Sequence, residues 1–80
     1  MGMFEANGEI GDMVDFYPTY RQATRMGIDV SSQLYGQIVG VRFTKAKVWY
    51  DVVCDYYGVV FSKIPSEKVT SSEVLIKMEN

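Results

Sequence analysis

Four residues near the middle of this 80-residue chain, Arg42, Lys45, Lys47 and Trp49, set bases beside an aromatic ring. In an extended segment alternate side chains share a face, so Lys47 and Trp49 project from the same side of a strand. A base beside an indole can pair with a phosphate and stack a nucleobase, the stacking being worth ~1–3 kcal/mol by alanine substitution. The same residues also suit a plainer role, with Trp49 packed under a loop or the C-terminal tail and the lysines solvating a hairpin. Arg21 and Arg25, next to Tyr20, would form the rim of such a face.

Charge is unevenly spread. Residues 1–20 hold Glu5, Glu9, Asp12 and Asp15 and no base; residues 21–47 hold Arg21, Arg25, Arg42, Lys45 and Lys47 against Asp29. Residues 48–80 hold Lys63, Lys68 and Lys77 against Asp51, Asp55, Glu67, Glu73 and Glu79, and the whole chain carries −2. A positive middle block therefore sits in an acidic protein. A negative total weighs against avid duplex binding, which needs a strongly basic face. Tyr17, Tyr20, Tyr35, Tyr56 and Tyr57 point to a protein surface instead, because tyrosine joins an apolar body to a polar tip. The alternative is that most of them cap the ends of a small core.

Catalytic chemistry finds little support. With one cysteine and no histidine there is no internal disulfide, no histidine base and no Cys/His zinc site. Asp51 and Asp55 lie four residues apart, ~13 Å along a strand and too far for a coupled carboxylate pair. Cys54 falls on an apolar face, where a thiol is inert. Ser66 and Ser71 have no partner base, phosphate-binding glycine loops are absent, and Glu5, Glu9, Asp12 and Asp15 lack calcium-loop spacing. No enzyme, cofactor or small-molecule substrate is expected.

The elements that must position these residues read as strands. Val14 and Phe16 alternate with Met13, Asp15 and Tyr17 in a first strand that Pro18 stops. Residues 18–35 form a long connecting loop. Thr19 is a candidate cap for one or two helical turns up to Met26 and Gly27 a candidate stop, but there is no strong apolar stripe. From Leu34 the pattern predicts a second strand with Val39, Val41 and Phe43 on one face. Parity resets after Thr44-Lys45, and Ala46, Val48, Tyr50, Val52 and Cys54 then line one face of a third strand. Asp55 to Gly58 makes a turn, Val59–Ile64 a fourth strand, Pro65-Ser66-Glu67 a 3₁₀-type turn and Val69 a short fifth strand. Residues 1–10 read as a flexible lead-in, 11–70 as the domain and 71–80 as a C-terminal tail, either a weak helical turn or an added edge strand. The fold class is all-β, with an α+β alternative if 19–26 or 73–80 prove helical.

The order of elements resembles the small SH3-like barrels, which include KOW-type and Tudor-type modules. The matching stretches are Gly11-Asp12-Met13-Val14, Gly36-Gln37-Ile38-Val39-Gly40-Val41, Lys47-Val48-Trp49-Tyr50-Asp51-Val52, Gly58-Val59-Val60-Phe61 and Ile64-Pro65-Ser66-Glu67-Lys68-Val69. The resemblance implies a small five-stranded antiparallel barrel with a long loop after the first strand. In size the chain is also similar to small phage-encoded proteins. Peptide-binding SH3 domains carry clustered acids in that loop, whereas Arg21 and Arg25 stand here with only Asp29, which puts proline-rich ligands in doubt. The four-aromatic cage of methyl-lysine readers is not recognisable in order either.

Together these readings give a non-enzymatic module that binds a macromolecule or assembles. Another protein or self-association is the favoured partner, and nucleic acid is the alternative. No apolar run reaches the ~18–20 residues that span a bilayer, so no membrane is expected. With no visible signal segment, the expected location is the cytoplasm, the host's cytoplasm or a virion if the chain is phage-encoded.

Overall fold

The computed structural model describes residues 8–71. The expected lead-in before Gly8 and the tail beyond Ser71 lie outside the described residues. Five antiparallel strands form one sheet: β1 (Met13–Phe16), β2 (Leu34–Thr44), β3 (Lys47–Cys54), β4 (Val59–Pro65) and β5 (Val69–Ser71). Their spatial order is β4-β3-β2-β1-β5. A single 3₁₀ turn, Ser66–Lys68, separates the last two strands.

Alternation in β1 and β3 is realised as written. Val14, Phe16, Val48, Tyr50, Val52 and Cys54 are all buried, and with Ile38, Phe61, Ile64 and Val69 they form the core. Phe16 of β1 and Phe61 of β4 meet edge to face with centroids 5.4 Å apart, although two strands lie between them in the sheet. Only a strongly bent sheet brings such strands together, and yet its edges, β4 and β5, do not pair. The sheet curls over its core without closing.

The loop after β1 holds a helix, α1 (Tyr20–Met26), so the connection is structured rather than plain loop. Seven residues are too few to persist alone, and caps supply what length does not. The Thr19 hydroxyl accepts the Gln22 N–H, and the Gln22 side chain returns a bond to the Thr19 N–H. Gly27, at φ 73°, ends the helix, and Ile28 N–H donates to the Ala23 carbonyl. Ala23 supplies the one buried side chain of the helix.

β2 departs from the expected parity. Gly36 and Ile38 are buried, whereas Val39 is 45% exposed, because the register with β3 shifts between Ile38 and Gly40 and leaves Val39 as an extra residue. Val41 then packs against the core, and Phe43 follows on the core side but runs past it, 57% exposed. Ala46 is also not a core residue. It is exposed in the β2–β3 turn, where Lys45 at φ 50° and Ala46 at φ 61° give the positive pair that two-residue hairpins use.

Candidate interaction face on the outer side of the sheet

The outer face of β3 carries Lys47, Trp49, Asp51 and Val53, opposite the buried residues. Trp49 lies beside Arg42 of β2 and Pro65 of β4 in register. Lys47 Nζ stands 4.8 Å from the Trp49 ring centroid, a cation–π contact, and the ring is half-buried. The indole N–H is buried and meets no acceptor among the described residues. So the base-beside-indole arrangement expected at Lys47 and Trp49 does form.

Its charges, however, are already engaged. Arg42 Nη2 lies 3.0 Å from Asp51 Oδ2 and its Nε 3.2 Å from the same oxygen. Lys47 Nζ is 3.8 Å from Glu67 on the 3₁₀ turn. Asp51 also accepts the Lys63 backbone N–H through Oδ1 at 3.1 Å. Lys63 has φ 57°, on an outward bulge where two residues of β4, Ser62 and Lys63, face Asp51 alone. Gly40 makes room for this carboxylate, since a Cβ there would stand 2.6 Å from Asp51 Oδ2. Bulges on both neighbouring strands thus converge on one side chain, which the sequence reading weighed only as half of a catalytic pair.

The remaining candidates separate into different places. Arg42, Thr44, Trp49 and Lys63 line one cleft, and Lys45 stands exposed at the hairpin tip nearby in sequence. Arg25 lines a second cleft with Gln22, Met26 and Val59–Ser62, where α1 lies along β4 and the Gln22 amide donates to the Ser62 carbonyl. Tyr20 and Arg21 are exposed on the first turn of α1, Tyr20 at 78%. A third cleft, missed by sequence reading as a unit, gathers Ser32, Gln33, Tyr35, Asp55, Tyr56 and Tyr57. Its signal was the Asp55-Tyr56-Tyr57 turn, but its partner Tyr35 lies 20 residues earlier and joins only through strand pairing.

Between these ends the outer face is mixed, with apolar side chains around Gln37. Met13, Gln37, Val53 and Val60 are direct register partners across four strands. Val60 is 52% exposed, Tyr35 52% and the bulged Val39 45%. Among the described residues no group of three or more His, Cys, Asp or Glu side chains is placed to hold a metal ion. No helix among them is long and apolar enough to cross a membrane. Compared with family models, curated proteins and solved structures, the chain matches none of them.

Proposed function

We propose that the chain is a small SH3-like barrel that acts as a non-enzymatic binding or assembly module, with protein as its partner. The barrel reading is supported by the strand order β4-β3-β2-β1-β5, the long connection before β2 and the 3₁₀ turn before β5. The observation that carries the partner class is the pairing of Arg42 with Asp51 and of Lys47 with Glu67. A phosphate approaching Trp49 meets a carboxylate beside each of the two flanking bases, so Arg42 and Lys47 have less charge to offer it. Exposed Tyr35, Val39 and Val60, by contrast, are the kind of side chains that a protein surface covers.

The test is a titration of isotope-labelled protein with short single- and double-stranded oligonucleotides at low and moderate salt, followed by NMR. No salt-sensitive shifts at residues 21–25 and 42–49 are expected. Shifts there that vanish as salt rises would replace the protein-binding reading with a nucleic-acid one.

A further inference from the structure

Ion pairing leaves one base over in the Trp49 cleft. Arg42 is paired with Asp51 and Lys47 with Glu67. Lys63 lines the cleft with Arg42, Thr44 and Trp49 and has no ion-pair partner among the described residues. Lys45, on the tip of the adjoining hairpin, has none among them either. Asp51 engages Nε and Nη2 of Arg42 and leaves Nη1 outside that pair.

The backbone at Lys63 points the same way. Its φ is 57°, which glycine adopts freely and a lysine does not, and it lies on a two-residue bulge. Asp51 Oδ1 takes the Lys63 N–H at 3.1 Å, a bond that the backbone of any residue but proline would make as well. The fold therefore uses this N–H, while the side chain stands exposed. A strained position held by a lysine where glycine fits better is a reason to look to the ammonium for a role.

We propose that Lys63 receives a carboxylate in the Trp49 cleft, and that the protein partner presents it on an acidic segment. This rests on the protein-binding reading above and gives the partner its chemistry. One surplus ammonium beside a half-buried indole matches one carboxylate, with Arg42 as a second donor in the same cleft. Lys45 at the rim suits a neighbouring acid. A nucleic acid brings a phosphate with every nucleotide, and such a run has Asp51 and Glu67 to contend with in the same patch. Arg25 is also exposed and without an ion pair among the described residues, but its cleft sets that one base beside Met26, Val59 and Val60.

The experiment titrates the isotope-labelled full chain with acetylated, amidated hexaglutamate, and with hexaglutamine as the uncharged control. Trp49 is the only tryptophan, so its indole N–H gives a single reporter signal. Hexaglutamate at millimolar concentration is expected to shift that signal and those of Arg42 and Lys63; hexaglutamine is not. Lys63→Gly should keep or raise the thermal midpoint, because glycine relieves the backbone, and yet weaken hexaglutamate binding ~10-fold. Lys63→Gln gives the same binding result should the glycine variant lack a folded spectrum. Arg21→Gln with Arg25→Gln, at moderate salt, should change the affinity less than ~3-fold. The proposal is overturned if hexaglutamate causes no shift, if hexaglutamine shifts the same signals, or if the Lys63 variants bind as the wild type does. An equal loss in the Arg21 and Arg25 variant also overturns it, since attraction to bases at large would then suffice. Salt-sensitive oligonucleotide shifts at 42–49 overturn the protein-binding reading itself, so the two failures are read with different probes.

Discussion

The Asp51 carboxylate accepts the Lys63 backbone N–H at 3.1 Å, and so one side chain of β3 holds the bulge of β4 in place. Its second oxygen takes Arg42 from β2, beneath the gap that Gly40 leaves. Three strands are tied at the point where the registers on both sides slip. A left-handed residue without glycine is a strained one, and Lys63 keeps that conformation because the carboxylate fixes its N–H.

Asp51→Ala should therefore cost more than a surface ion pair. It leaves the Lys63 N–H without this acceptor and frees Arg42, and ~1–3 kcal/mol is the expected loss. Arg42→Ala removes only the exposed partner and should cost ~0–1 kcal/mol. Urea denaturation of the two variants checks the order; equal losses would mean that the bulge contact contributes nothing.

Glycines in β2 should differ in tolerance. A Cβ at Gly36 would lie 2.2 Å from the Val53 carbonyl oxygen, which is backbone and cannot swing away. Gly36→Ala is expected to destabilise by ~1–3 kcal/mol or to prevent folding. At Gly40 the obstacle is the end of the Asp51 side chain, so Gly40→Ala should displace the carboxylate and act through the same contacts. In a double-mutant cycle Gly40→Ala and Asp51→Ala should then be markedly non-additive.

Ala46→Gly should stabilise the protein. Ala46 sits at φ 61° in the β2–β3 turn, a region that costs an L-residue ~1–2 kcal/mol and glycine nothing. The gain, reduced by the entropy of the unfolded glycine, is expected below ~1 kcal/mol and is read as a raised thermal midpoint. A lowered midpoint would show that the turn is not strained.

The capping box of α1 should be legible in hydrogen exchange. Thr19→Ala removes the acceptor of the Gln22 N–H, and loss of such a cap costs ~1 kcal/mol. Gln22→Ala also releases the Ser62 carbonyl on β4. Faster exchange is expected in residues 20–28 for both variants.

One carboxylate gives a pH dependence with a definite sign. Asp29 accepts the Ser31 backbone N–H at 2.9 Å and its hydroxyl at 2.8 Å, and these bonds hold its pKa below the ordinary carboxylate value. A depressed folded pKa stabilises above the unfolded value of ~3.9, and the contribution is lost as pH falls through the folded one. Carbon-detected NMR of the Asp29 carboxyl should show the lowered midpoint. Ser31→Ala should move that midpoint upward, because the hydroxyl bond is gone.

Much of the fold was written in the sequence because β-strand burial is a local pattern. Five alternations from Ala46 to Cys54 named the core face of β3, wrong only at Ala46, where the turn begins. Pro18, Gly27, Gly58 and Pro65-Ser66-Glu67 marked boundaries because each restricts or frees its own backbone. The helix at 20–26 was half-visible: its cap and stop are local, but a stripe with one buried residue looks like loop. What no local pattern could show is the slip at Val39, since a bulge is a relation between two strands and moves every later side chain to the other face. The same holds for the site. Lys47 and Trp49 share a strand, so their contact followed from spacing alone. The neutralising carboxylates of Asp51 and Glu67, and the Met13–Gln37–Val53–Val60 row across four strands, come from pairings that only the tertiary structure decides.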